Sequence, residues 1–439
     1  MAKKPRRRIS LGSLLMLAAT ALVLAGCLRF LTMIAGDGLY ARTGDVLRTL
    51  AEEGLFEAEA EPTETPVRAA RTAVAQAETT PVPTPQPTVT PVPAPTTITI
   101  AAAGTVYAPK IVRESAKVGG QYDFGPMFAG LRGTLEDADL AIATLETTTA
   151  GEDKGFGNYN TAPEILDALR DCGVDLLALA TERTLDKGYE GLDLTLRAIT
   201  ARGLAHTGVH VDGERGATMM RIGGVQVAVL AYTYGVSEEG NRKTDGDRRT
   251  VMALMENERM MDEIRQARVN GANVVIVLPH WGTKNILETP EQVKNMAVAL
   301  AEAGADVILG THPNVPQGTA RLTVKRTDGL MHEAVVCYSL GSLLTDSRTA
   351  ENTAGMVAHI AVTYDPVTRR TTLGEMYCTP VYIARQRVDD QTVYRVVDAE
   401  SAQALDGLTQ SERQAAQQAV EIIRSATQAD EQEGQGVCG

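Results

Sequence analysis

The stretch ANVVIVLPHWGTKNILETPEQVKNMAVALAEAGADVILGTHP, residues 272–313, holds the fold in miniature. ANVVIVLPHWG reads as a strand, PEQVKNMAVALAEAG as a helix and ADVILGTHP as a second strand. Strand, helix and strand at this spacing form a βαβ crossover, which needs two parallel strands with a helix laid across them. Both strands are almost wholly apolar, the mark of strands covered on both faces.

The same alternation runs outward from it. TTITIAAAGTV (96–106), DLAIATLE (139–146), VDLLALA (174–180) and VQVAVLAYTY (225–234) read as strands. FGPMFAGLRGTLEDA (124–138), APEILDALRDCG (162–173), GYEGLDLTLRAITARG (188–203) and ERMMDEIRQARVNG (258–271) read as helices. EAVVCYSLGSLL (333–344) and GMVAHIAVTYD (355–365) are spaced as antiparallel strands. The expected fold is α/β, a layered sandwich with a mixed, mostly parallel sheet, in one domain over residues 96–397.

Composition narrows the rest. Of 439 residues only 4% are aromatic, and Trp281 is the lone tryptophan, so the core is aliphatic and alanine-rich. A net charge of −13 excludes nucleic acid as the expected partner, because phosphates demand a basic surplus. The exception is MAKKPRRRIS at the start, followed by the apolar run Leu11–Leu28. A basic segment ahead of an apolar one is an export signal, expected over residues 1–30. Leu24-Ala25-Gly26-Cys27 resembles a bacterial lipobox, with Cys27 as the lipidation site. The run is also nearly long enough for an uncleaved signal anchor. Both readings tether the chain to the cell membrane with its bulk on the extracytoplasmic face.

Residues 31–95 contain EPTETPVRAARTAVAQAETTPVPTPQPTVTPVPAPTT, whose prolines preclude helix and sheet and imply an extended spacer. Cys172 and Cys337, in apolar settings, are expected as buried free thiols. Residues 398–439 hold SERQAAQQAVEIIRSATQ, with Ala416, Val420 and Ile423 on one helical face suited to packing on the body, and an acidic end.

In open α/β sheets, functional groups gather beyond the carboxyl ends of the strands. Those ends carry Gly104-Thr105, Thr144-Leu145-Glu146, Thr181-Glu182-Arg183 with Asp186, His280-Trp281-Gly282 and His312-Pro313-Asn314. Two histidines that finish two strands, each beside an unusual backbone, mark a site.

YDFGPMF, DLAIATLET, LDKGYEGLDLTLRAITARGLAHTG, VVIVLPHWG, PEQVKNMAVALAEAGADVILGTHPNVPQG and CYSLGSLL resemble, in order, the CapA family of poly-γ-glutamate capsule synthesis, over about residues 98–364. The resemblance implies a calcineurin-like metallophosphoesterase fold, with His280, His312 and Asp186 as catalytic positions. Several family ligands are replaced. Thr105 stands for the aspartate of Gly-Asp and Thr144 for the asparagine of Asn-Leu-Glu. Thr181-Glu182-Arg183 stands for Asn-Asn-His, Asn314 for the second histidine of His-Pro-His, and Ser342 for the asparagine of Ser-Leu-Gly-Asn.

These losses matter because a two-metal centre needs a bridging carboxylate and neutral donors. Threonine cannot bridge, and the Arg183 guanidinium repels a cation. Arg183, with Asn314 and Thr105, could instead receive an anion, or Arg183 could pair with Glu182, Glu146 or Asp186. The expected cofactor is therefore none, or a single zinc, manganese or iron ion on His280, His312 and Glu182 or Glu146. The implied role is handling or anchoring an anionic envelope polymer through a degenerate centre. An active metal-dependent phosphoesterase acting on an envelope phosphoester is the alternative.

Overall fold

A computed structural model describes residues 93–210, 216–244, 251–388 and 391–433, with side chains to 427. The export signal, Cys27, nearly all of the spacer and the chain from residue 434 lie outside the described residues, whereas the acidic residues up to Glu433 continue the C-terminal helix. No helix among the described residues is long and apolar enough to cross a membrane.

The layered α/β sandwich is present, and apart from the antiparallel pair Lys117–Val118 and Gln121–Tyr122 its strands divide between two mixed sheets. In the first, Thr96–Val106 pairs in parallel with Leu140–Leu145, followed outward by Leu176–Ala178 and Ala205–Thr207. On its other side run the antiparallel strands Ala354–Asp365, Arg370–Val388 and Gln391–Asp398. At the carboxyl end of Thr96–Val106 the short strand Ser342–Leu344 takes over as neighbour, with Thr105 opposite Ser342. In the second sheet Val274–His280 lies between Val225–Thr233 and Val307–Leu309, all parallel. Met331–Cys337 continues the parallel set, and Thr319–Lys325 and Thr218–Ile222 close the edges antiparallel.

Alternation along the strands explains the layering, because successive side chains point to opposite faces. Ile98, Ile100 and Ala102 share a cluster with Val227, Val229, Ala231, Val274 and Ile276, which fills the space between the sheets. Ala101 and Ala103 face the other way, onto Ile165, Leu169, Leu192 and Ile199 of the helices Ile165–Asp171 and Gly188–Thr200. Ala228, Leu230 and Tyr232 meet Met260, Ile264, Ala297 and Leu300 of the helices Asn257–Val269 and Glu291–Ala303. Ala416, Val420 and Ile423 of the helix Gln410–Glu433 join the central cluster, so the C-terminal helix packs on the body.

One expected helix is broken. FGPMFAGLRGTLEDA forms two short helices, Gly125–Phe128 and Arg132–Glu136. Between them Gly130 bridges to Val397, and a Cβ there would meet Val396 O at 2.8 Å. The chain is pressed against an edge strand where a continuous helix would collide.

Candidate metal and ligand site

The carboxyl ends of the parallel strands bring Glu182, His280 and His312 together. The loop after Leu176–Ala178 is tied to itself. The Thr184 hydroxyl donates to Thr181 O at 3.0 Å and Asp186 N donates to Arg183 O at 3.0 Å. Ser237 N donates to Glu182 O at 2.8 Å. So held, buried Glu182 accepts at Oε2 from His280 Nε2, 2.7 Å away. Thr311 Oγ1 lies 2.9 Å from His280 Nδ1 and fixes the ring from its far side.

His312 arrives from the next strand end, its Nδ1 3.3 Å from His280 Nε2 and 3.5 Å from Glu182 Oε2. Its φ is +96° and that of Asn314 is +60°. Such non-glycine conformations cost about 1–3 kcal/mol each and gather at functional sites. The Tyr234 ring lies beside both imidazoles, 4.6 Å from His312 and 6.4 Å from His280 between centroids.

Two cations face the carboxylates. Lys284 Nζ donates to Glu182 Oε1 at 2.7 Å and stands 3.8 Å from Glu146 Oε1. Arg183 lies over the Tyr159 ring at 4.0 Å, with Nε 3.6 Å from Glu182 Oε1 and Nη1 3.5 Å from Asp186 Oδ2. Asp186 also accepts from the Ser237 hydroxyl and offers its backbone carbonyl to Lys243 at 3.0 Å.

The electrostatics follow from burial and these partners. Burial would raise the Glu182 carboxyl, but hydrogen bonds from His280 and His312 and the Lys284 charge outweigh it and hold it far below the ordinary range. Burial lowers His280 despite Glu182, so the ring is neutral near neutral pH, and its Nε2 carries the proton given to the carboxylate. Burial and the neighbouring Glu182 push Glu146 up to about 8, against Lys284 and Arg183. Two adjacent carboxyls thus hold different protonation states.

Glu182, His280 and His312 form the one cluster among the described residues able to hold a metal, with donor atoms within 4.8 Å of one another. A tetrahedral ion with bonds of about 2.0–2.1 Å sets its donors about 3.3–3.4 Å apart. The separations of 3.3 and 3.5 Å match, and the 2.7 Å contact is the hydrogen bond an ion would displace. Thr311 supports the outer nitrogen of His280, as partners of ligands commonly do, whereas the Lys284 ammonium shares the charge of Glu182. One ion therefore fits. Thr105, Thr144 and Ser342, where the family resemblance implies further ligands, lie side by side in register. They offer only hydroxyls, and Thr105 Oγ1 and Thr144 Oγ1 are buried without a hydrogen-bond partner.

The expected anion pocket is only partly assembled. A cavity of about 460 Å³ opens over Glu182, Arg183, Tyr234, Lys284 and His312. Neither Thr105 nor Asn314 lines it, and the Asn314 backbone carbonyl accepts from the Ser342 hydroxyl at 3.2 Å and from Asn352 Nδ2 at 3.1 Å. Arg183 is engaged by Glu182, Asp186 and Tyr159, the paired state that sequence had left open.

Lys284, Tyr234, Thr311 and Tyr159 were not singled out from sequence. Lys284 and Tyr234 follow closely on strand ends and were findable there. Tyr159 comes from a loop organised by buried Asn160, which accepts from Ala150 N at 3.0 Å and donates to Gly151 O at 2.8 Å, and nothing in its spacing foretells this.

Residues 99–347 match the family described as Bacterial capsule synthesis protein PGA_cap. The capsule biosynthesis protein CapA of Bacillus anthracis is 23% identical over 250 residues, 53% of this chain and 57% of that protein. The PGA biosynthesis protein CapA of Bacillus subtilis is 26% identical over 195 residues, 43% of this chain and 47% of that one. The chain thus spans about half the length of these curated relatives. The solved calcineurin-like phosphoesterase YfkN from Bacillus subtilis is 12% identical, covers 76% of this chain and 99% of its own, and superposes with a TM-score of 0.40.

Proposed function

The chain belongs to the PGA_cap family of bacterial capsule synthesis proteins, and from that premise we propose that it serves the assembly or anchoring of an anionic envelope polymer, such as poly-γ-glutamate. It does so through a centre reduced to one divalent-ion position at most. The observation carrying this reading is that Glu182 is already held by Lys284, together with the hydroxyls of Thr105, Thr144 and Ser342, side by side in register where the family resemblance implies stronger ligands. The basic and apolar segments of residues 1–30 support a membrane tether, with the body on the extracytoplasmic face.

When bound, a zinc-like ion would supply Lewis acidity. Glu182, His280 and His312 would hold it, and Thr311 would orient His280. Tyr234 covers the imidazoles on the cavity side. An active phosphoesterase remains the competing account.

Zinc-loaded full chain assayed with a generic phosphomonoester separates the two. The expected result is no turnover above blank, together with thermal stabilisation by poly-γ-glutamate. Metal-dependent turnover abolished by His280→Ala would replace this reading with the hydrolase.

A further inference from the structure

We propose that Lys284 is the specificity-determining residue of the ion site: its fixed charge limits the centre to one divalent ion and weakens the hold on that ion. The proposal rests on the reading of Glu182, His280 and His312 as the donor set.

The geometry divides Glu182 in two. Oε2 faces His280 and His312, whereas Oε1 is taken by Lys284 Nζ at 2.7 Å. The same ammonium reaches toward Glu146, 3.8 Å away, so one positive group stands between two buried carboxyls. A shared second ion would need that place. The hydroxyls of Thr105 and Thr144, paired in register at two strand ends, are buried without hydrogen-bond partners and carry no charge to attract a cation.

The charge count leads the same way. Glu182, Glu146 and Asp186 contribute at most three negative charges, and Lys284 and Arg183 return two positive ones within 4 Å of them. A divalent ion entering this set meets at most one net negative charge, with a like charge beside it. Lys284 is the part of the set easiest to alter, because its side chain is 33% exposed at the cavity rim.

The test is a zinc titration, read by calorimetry and by competition with a chromogenic chelator, on the full chain and four variants. Wild type should bind one equivalent. Lys284→Gln should bind one equivalent at least about tenfold more tightly, since a like charge beside the ion is gone. Lys284→Arg should behave as wild type, and Lys284→Glu should gain a second equivalent. His280→Ala should lose binding.

Unchanged affinity in Lys284→Gln and unchanged stoichiometry in Lys284→Glu would overturn the proposal while leaving the donor set intact, provided His280→Ala still loses the ion. Absence of zinc binding in every protein would remove both. Should Lys284→Glu fail to fold, the affinity of Lys284→Gln decides alone.

Discussion

Lys284 Nζ lies 2.7 Å from Glu182 Oε1, while the other oxygen of the same carboxylate is held by His280. One buried carboxylate therefore balances an ammonium, an imidazole proton and part of a guanidinium. Removing its charge leaves Lys284 without its closest partner and Arg183 paired with Asp186 alone.

Glu182→Gln should accordingly destabilise the domain by about 3 kcal/mol, as breaking a buried charge pair usually does. Denaturant unfolding at neutral pH checks this. A loss under about 0.5 kcal/mol would mean the two cations find water instead.

Glu146 gives the pH dependence. Its folded value of about 8 lies above the ordinary 4.5, so between these limits the unfolded chain has lost a proton the folded chain retains. Stability from this group is complete below 4.5 and falls as pH rises to about 8, by up to about 1.4 kcal/mol per pH unit. Glu146→Gln should flatten that slope and raise stability at pH 8 relative to wild type. Parallel stability curves for the two proteins from pH 5 to 8 would contradict the assignment.

Arg183→Ala should lower the melting temperature without any added ligand, because it removes the contact over Tyr159 and the pairings with Glu182 and Asp186. The side chain is a quarter exposed, which limits the loss to about 1 kcal/mol. Phosphate or a glutamate oligomer should shift both proteins equally. Stabilisation by these anions in wild type that vanishes in the variant would make Arg183 the anion receptor.

Much of the fold was legible because each βαβ unit lies within a few dozen residues, as in Ala272–Pro313. The division into two sheets was not. Ile98, Ile100 and Ala102 are as apolar as Ala101 and Ala103, so a strand covered on both faces does not say which neighbour lies on which side. At the site, His280, His312, Glu182 and Asp186 were visible as strand-end residues. Their arrangement was not, since Glu182 and His280 are 98 positions apart, and Glu182 and Lys284 are 102 apart.

Gly310 tests the packing beneath the site. A Cβ there would collide with Tyr338 O and with Trp281 Nε1, whose N–H donates to that same carbonyl at 2.9 Å. Gly310→Ala should cost at least about 1–3 kcal/mol through overpacking and should quench or shift the fluorescence of the lone tryptophan. Wild-type stability and emission would show that the strand end is looser than described.

The central claim is that the centre has room for one divalent ion and not two. The direct measurement is the metal-to-protein ratio of the full chain after saturation with zinc, manganese or iron and removal of loosely held ions, read by elemental analysis. One equivalent or less is the predicted result, lost on His280→Ala. Two tightly held ions per chain would contradict the account, because they would require Glu146, Asp186 or the hydroxyls at Thr105 and Thr144 to complete a second ligand shell despite Lys284.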